Sequence, residues 1–328
     1  MALVDEMTRL VIRADASATI GIGHVMRSLA VAEVARDCGV DILWIVGDAG
    51  AGAELVSRHG FAPTLCAWGD PVGWTTALRP SDTVLVDAYH LGREAFDAVR
   101  HRGARSCAVD SIGTGWQEAD VVICADSDVP PSGVRPGSVA LCGLPHALVR
   151  HEFLRFRRLR AREFDCLAVC LGGGDPCGLV PVVLDILDEV RPASRVVLLA
   201  GPHVPVPSEA PRSWLEVHRN PDQVAAVLDQ ADAAISGGGT TALELMCMGI
   251  PAALIKVADN QDCASHLAAT TGAAIYVGEG KAGAHANLAG ALRALAPTGE
   301  RRRLSQAALA AVDGRGPERV ARAILAPG

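Results

Sequence analysis

The feature that most constrains this chain is an alternation of strands and helices that runs once, breaks, and runs again. In the first half, Leu10–Asp15 reads as a short β-branched strand, and Val25, Leu29 and Ala32 recur behind it at helical spacing. Strands are predicted again at Val40–Gly47, Thr64–Trp68, Thr83–Asp87, Arg105–Asp110, Asp120–Cys124 and Ser138–Leu141, with helices at Glu54–Gly60 and Arg93–Arg102. The second half has predicted strands at Asp165–Leu171, Arg195–Ala200, Ala231–Ser236 and Pro251–Ile255. Its predicted helices are Leu179–Val190, Pro221–Gln230, Thr240–Met248 and Gln261–Thr271, and Ala284 to Leu325 reads as helical throughout. Such alternation gives parallel sheets covered on both faces. The Arg/Glu-rich segment "HALVRHEFLRFRRLRAREFD" lacks strand alternation and separates the two runs. The expected architecture is α/β: two Rossmann-like doubly wound domains facing a central cleft, residues 1–158 and 159–328, the second with a helical tail. Ligands of such sheets bind outside the carboxyl ends of the strands.

Composition narrows the partners. Half of the 328 residues are hydrophobic, enough for two cores. A net charge of −7 argues against nucleic acid or an anionic membrane as the main partner, so any phosphate must be recognised locally. Met1 to Arg9 carries three charged residues and no apolar segment, and runs such as Val139–Leu144 are too short to span a bilayer. No secretory signal and no membrane insertion are expected, and the chain is expected in the cytoplasm. The ten cysteines are scattered without a C-x-x-C pair, so they read as reduced, small apolar residues, with neither disulfides nor a zinc site.

Three glycine loops are predicted at carboxyl ends of strands: "IGIGHV", "LGGGDP" and "ISGGGTTALE". Glycines there let backbone approach a bulky anion, and a following helix N-terminus favours negative charge. None is a dinucleotide fingerprint or a Walker A loop. The plain alternative is that glycines end these strands tightly. In the first loop, Gly21 and Gly23 precede His24, with Asp15 before them and Arg27 one turn after, and Asp15, Gly21, Gly23 and Arg27 are candidate substrate contacts. His24 reads as a proton-transfer group, or else as a capping or core histidine. Gly173, Gly174, Ser236, Gly238, Gly239, Thr240 and Thr241 are candidate diphosphate contacts. Glu244, one turn past Thr240, could accept hydrogen bonds from two ribose hydroxyls, or simply sit well near a helix N-terminus. In "VADNQ", Asp259 or Asn260 could cap a helix; alternatively Asn260 and Gln261 bind sugar or phosphate. "VDAYHL" ends a strand with Tyr89 and His90, Tyr89 being either a hydrogen-bonding site residue or a loop anchor.

These motifs carry a resemblance. "RADASATIGIGHVMRSLAVAEVA" is similar to the opening of the PseG/SpsG family, and "VLVDAYHL", "LCGLPHALVRHEF", "LGGGDP", "SGGGTTALELMCMGIP" and "VADNQ" fall in the family's order. The family's type enzyme is the UDP-2,4-diacetamido-2,4,6-trideoxy-β-L-altropyranose hydrolase of pseudaminic acid biosynthesis, related to MurG-type glycosyltransferases. The resemblance implies a GT-B fold, a UDP-sugar as small-molecule partner, UDP held by the C-terminal domain, and water as nucleophile. It implies catalytic roles for His24, Tyr89 and Asn260, and a ribose contact for Glu244 by likeness to MurG. The chain departs from the family at "AVDSIGTGW", where a pair of aspartates followed by a basic residue is usual and only Asp110 is present. It departs again at Ala88, where the family has histidine before the tyrosine; here a histidine follows, at His90.

The implied chemistry is physically coherent. The anomeric carbon already carries a good leaving group, and a neutral imidazole suits proton removal from a water placed on the opposite face. Preorganised N–H donors, with Arg27, would stabilise charge on the departing diphosphate. One base and one water give inversion. Catalysis without a metal or other cofactor is expected. Two rival readings remain open: a glycosyltransferase using the same donor site with a hydroxyl acceptor, and a non-catalytic nucleotide-sugar binding protein.

Overall fold

The computed structural model describes residues 9–326 except 17–20, 48–49, 69, 111, 174, 176, 191–192, 202–203, 205–211, 259–260 and 262, and only the backbone at 263–264. The chain divides into two compact units, residues 1–150 with 315–328, and residues 151–314.

In the first unit seven strands form one sheet: β1 (Arg9–Ala14), β2 (Asp41–Val46), β3 (Pro63–Leu65), β4 (Thr83–Asp87), β5 (Arg105–Val109), β6 (Val121–Cys124) and β7 (Val139–Cys142). Their order is β3-β2-β1-β4-β5-β6-β7, and every neighbouring pair is parallel. Helices α1 (Gly23–Asp37), α2 (Ala51–Arg58) and α3 (Arg93–His101) follow β1, β2 and β4 in sequence. Side chains alternate across a strand. Accordingly Leu10, Ile12 and Ala14 of β1 pack with Val25 and Leu29 of α1, while Val11 joins Val84, Trp74 and Phe96 in a separate cluster.

The second unit repeats the plan. Strands β8 (Cys166–Cys170), β9 (Arg195–Ala200), β10 (Leu215–Arg219), β11 (Ala233–Gly237), β12 (Ala252–Lys256) and β13 (Ala274–Glu279) lie parallel in the order β10-β9-β8-β11-β12-β13. Helices α4 (Leu179–Glu189), α5 (Val224–Asp229), α6 (Thr240–Met248), α7 (Cys263–Thr271), α8 (Gly280–Leu295) and α9 (Thr298–Ala311) complete it. In each sheet the winding direction reverses once, between β1 and β4 and between β8 and β11. Reversal points of this kind are where doubly wound sheets open a crevice at the strands' carboxyl ends.

Two strands differ from the sequence expectation. Residues 215–219 form edge strand β10, in which no residue is fully buried, and residues 274–279 form β13; neither stretch is predicted as a strand. Both are edge strands, and an edge strand needs only a half-apolar sequence. The last helix, α10 (Gly316–Leu325), is a correction to the expected boundaries: it belongs to the first unit, not the second. Its apolar stripe Val320, Ala321, Ile324 and Leu325 is buried in the cluster that holds Leu10, Ile12 and Leu29. Thr83 Oγ1 and Arg105 Nη1 both donate to the carbonyl of Ile324, at 3.2 Å each, which serves the helix's unpaired C-terminal end. The Arg-rich segment belongs to the second unit, so the chain crosses at residues 150/151 instead of 158/159. There Arg157 Nη1 donates to Val312 O (2.6 Å) and Cys247 O (2.9 Å), and Arg160 Nη2 to Asp229 Oδ1 (2.9 Å). Charged residues that read as a linker in sequence are carbonyl clamps in space.

Ile324 is fully buried. Replacing it by alanine should destabilise the first unit by about 2–5 kcal/mol, the usual cost of a large-to-small core change. Urea unfolding should show this as a lowered midpoint for the transition assigned to that unit. An unchanged midpoint would mean that α10 is not docked there.

Candidate active site

The first reversal point gathers the sequence-predicted N-terminal residues. Gly21 takes a left-handed φ of +76° and α1 begins at Gly23, so His24 stands in the first turn of the helix. The β1–β4 register sets Ala14 opposite Asp87. The end of β4 is thereby brought to the start of α1. Asp87 is fully buried and His24 is 6% exposed. His24 Nδ1 lies 2.6 Å from Asp87 Oδ1. Arg27, on the same helix face as His24 at i+3, donates through Nε to Asp87 Oδ2 and through Nη2 to Asp87 Oδ1, both at 2.5 Å. Ser28 Oγ adds a long contact of 3.4 Å to Oδ2.

A second carboxylate closes the cluster. Asp110, just past β5, accepts from Arg27 Nη1 at 2.6 Å and from the Tyr89 hydroxyl at 2.5 Å. Arg27 Nη2 also donates to Tyr89 Oη at 3.0 Å, and the Tyr89 ring meets the His24 ring edge-on at 4.4 Å. Asp110 holds a φ of +64°, which aspartate tolerates better than most residues. Gly113 supports this turn: a Cβ there would lie 2.4 Å from Tyr89 O, so only glycine fits against that backbone.

The electrostatics follow from burial and charge. Burial by itself would raise the Asp87 carboxyl. The charges of Arg27 and His24, with hydrogen bonds from both, outweigh it and hold the group at about 2. Burial, followed by the carboxylates of Asp110 and Asp87, raises the Tyr89 phenol despite Arg27, so the hydroxyl stays protonated and donates. For Arg27 burial works against the cation, yet Asp110 and Asp87 prevail and raise its pKa well above the usual value. Asp87 can only accept and Arg27 can only donate. The ring nitrogen 2.6 Å from the carboxylate is therefore assigned as Nδ1–H, which leaves Nε2 with its lone pair free. Among the described residues Nε2 has no hydrogen-bond partner.

His24, Arg27 and Tyr89 are thus brought together beside Gly21 and Gly23. Asp15 is 1% exposed, ion-paired to Arg13, and its Oδ1 accepts from Gly47 N at 2.6 Å. Sequence reasoning missed Asp87. The available signal was a carboxylate closing the otherwise apolar strand "TVLVD", where a buried charge requires partners.

The second reversal point holds the other motifs. Thr240 and Thr241 open α6 and are half-buried, with Gly239 at its N-cap. Gln261 Oε1 accepts from Gly238 N at 3.0 Å and from Val257 N at 3.2 Å, so it ties two loops together. Ser236 is fully buried beside Cys170. Glu244 is 4% exposed, and its charge adds slightly to the burial that raises the thiols of Cys170 and Cys247. In "LGGGDP", Asp175 takes the N–H groups of Leu179 (2.7 Å) and Val180 (2.8 Å), so the first turn of α4 is already capped by a carboxylate beside half-buried Gly173. Gly174, Asp259 and Asn260 lie outside the described residues.

Two parallel doubly wound units of this order define the GT-B fold, and solved structures agree. The chain matches Acinetobacter baumannii MurG with a TM-score of 0.65 at 16% identity, over 96% of this chain and 99% of that one. It matches Anabaena HepE, solved in complex with UDP, with a TM-score of 0.64 at 11% identity, over 96% and 99%. No family model matches. In sequence, the chain is similar to the spore coat polysaccharide biosynthesis protein SpsG of Bacillus subtilis, 30% identical over 151 residues, 42% of this chain and 43% of SpsG. It is 20% identical over 267 residues to an uncharacterised protein of Methanocaldococcus jannaschii, 75% of this chain and 55% of that protein. The matches therefore span only about half the length of these relatives. No described helix is long and apolar enough to cross a membrane.

The Asp87 geometry has a consequence in acid. Folded Asp87 takes up its proton only at about pH 2, whereas an unfolded aspartate does so near ~3.9. Its contribution to stability, on the order of 2 kcal/mol, is complete above the unfolded value and disappears as pH falls through the folded one. Urea midpoints measured from about pH 5 downward should fall less steeply for Asp87→Asn than for the unsubstituted protein. Equal slopes would show that the Asp87 charge is not held by Arg27 and His24.

Proposed function

We propose that this protein is a nucleotide-sugar hydrolase that cleaves the anomeric C–O bond of a UDP-linked deoxyamino sugar, acting in a polysaccharide or pseudaminic acid-type pathway. The observation that carries the reading is the His24–Asp87 contact at 2.6 Å, which frees Nε2 to act as a base. Nε2 takes a proton from water as the water oxygen bonds to C1. The C1–O bond to the diphosphate breaks, and its electron pair leaves on UDP. Inversion at C1 follows. Asp87 faces the ring N–H throughout and compensates the positive charge that the ring acquires. Arg27, pinned by two carboxylates and Tyr89, positions Asp87 and holds the Tyr89 hydroxyl near the imidazole. No residue of this mechanism calls for a metal or other cofactor.

The nucleotide is assigned to the second unit, with Gly238, Gly239, Thr240 and Thr241 at the diphosphate and Glu244 at the ribose. Support comes from the α6 N-terminus at a reversal point and from HepE, a protein of the same fold that binds UDP. Glu244→Ala should weaken UDP binding by about 2–3 kcal/mol, the worth of two hydrogen bonds to a charged group. Calorimetry that finds unchanged UDP affinity would remove Glu244 from the site.

His24→Asn should keep sugar-nucleotide binding and lose turnover by about 10²–10⁴, the reach of general-base catalysis. In H₂¹⁸O the label should enter C1 of the sugar and not UDP. Label in UDP would mean attack at phosphorus and defeat the mechanism. A glycosyltransferase reading is favoured by the names of several structural neighbours, SpnP and CalG4 among them. UDP release that begins only when an acceptor alcohol is added would decide for it.

A further inference from the structure

Beside the His24 cluster, the same edge of the first sheet carries a second group of side chains that the mechanism does not use. Trp68 follows β3, and His90 follows β4 directly after Tyr89. Their rings stack at 4.6 Å with an interplanar angle of 13°. Trp68 is 37% exposed and the His90 side chain 30% exposed, so the pair presents an aromatic surface to solvent. Gly47, at the end of β2, makes room for it: a Cβ there would lie 2.7 Å from the indole Cε3 and 2.9 Å from Asp15 Oδ1.

Beneath the stack is a buried polar floor. Arg13 is fully buried and ion-paired to Asp15 through Nη1, while its Nε and Nη2 have no hydrogen-bond partner among the described residues. Asp15 Oδ2 likewise has none and lies 3.6 Å from His90 Nε2. That distance is beyond a direct hydrogen bond, but a carboxylate facing Nε2 favours the Nε2–H tautomer. Nδ1, without a partner among the described residues, is then the ring's acceptor. Burial, together with the nearby charges of Arg13 and His24 and against that of Asp15, lowers the His90 pKa and keeps the ring neutral.

A fully structural role would account for the floor but not for the surface. An indole used only to cover an ion pair is stabilised by being buried, whereas this one leaves more than a third of itself in water. Half-exposed aromatic surface with one adjacent acceptor matches the chemistry of a pyranose ring, which has an apolar C–H face and donor groups around its rim.

We propose that the Trp68–His90 stack is the sugar subsite of the first unit. Its exposed surface takes the C–H face of a pyranose, and His90 Nδ1 accepts from a hydroxyl or amide N–H on that ring. Its place supports this: the His24 and Tyr89 rings are 4.4 Å apart, and His90 is the next residue along the chain. The subsite rests on the nucleotide-sugar reading above, which can be tested separately.

Calorimetry with UDP, UDP-glucose and UDP-N-acetylglucosamine, in a His24→Asn background that prevents turnover, separates the two. The expected result is that both UDP-sugars bind more tightly than UDP. Trp68→Ala and His90→Ala should each remove that advantage, by about tenfold or more for Trp68→Ala, while leaving UDP affinity within about twofold. Trp68→Phe should keep most of it, and it carries the test if Trp68→Ala fails to fold by thermal melting. UDP-sugars that bind no better than UDP would overturn the subsite. So would folded Trp68 and His90 variants that keep the advantage. Failure of UDP itself to bind would overturn the nucleotide-sugar reading, and the subsite with it.

Discussion

The structure of the first unit turns on one buried carboxylate. Asp87 closes strand β4 with no solvent exposure, where an unpaired charge would cost several kcal/mol. It persists because α1 delivers donors from a segment some sixty residues earlier in the chain: the His24 ring N–H and two donors of Arg27. This arrangement requires that β1 and β4 be neighbours and that α1 start immediately beyond β1. The topology and the carboxylate therefore depend on each other. A sheet wound in another order would leave Asp87 buried without partners.

From that pairing the rest of the cluster follows. Arg27, once fixed on Asp87, has donors left for Asp110 and Tyr89. Asp110 accepts the left-handed backbone that brings it there, and Gly113 lets the turn press on Tyr89. The result is a network in which every member is partnered, the condition under which buried polar groups rigidify a site. At its edge His24 has one ring nitrogen committed to Asp87 and, among the described residues, one without a partner.

The second unit uses the same winding but treats its loops differently. Asp175 occupies the first turn of α4, and Gln261 takes the Gly238 N–H. Of the two helix N-termini at this reversal point, α6 is the one with no side-chain cap among the described residues. The glycines of the two loops are thus not equivalent, although "LGGGDP" and "ISGGGTT" look alike as strings. One is closed by its own aspartate; in the other, Gln261 takes the N–H of Gly238.

The sequence by itself determined the architecture. Periodicity and β-branched runs, which are local properties, marked eleven of the thirteen strands described and set the glycine loops at carboxyl ends. His24, Arg27 and Tyr89 were legible as well, because a histidine behind two glycines at a helix start and a tyrosine at a strand end are local signals. Tertiary structure alone decided what depends on distant pairing. Edge strands β10 and β13 are half-apolar and declare themselves only through a neighbour. The stripe of α10 names no partner, and packing assigns it to the first unit. How deeply Asp15 and Ser236 are buried shows only in the folded chain. Asp87 looked like the last residue of a strand and is the group on which the histidine is oriented. In each case the deciding quantity is burial beside a residue far away in sequence, and a linear pattern carries no record of that.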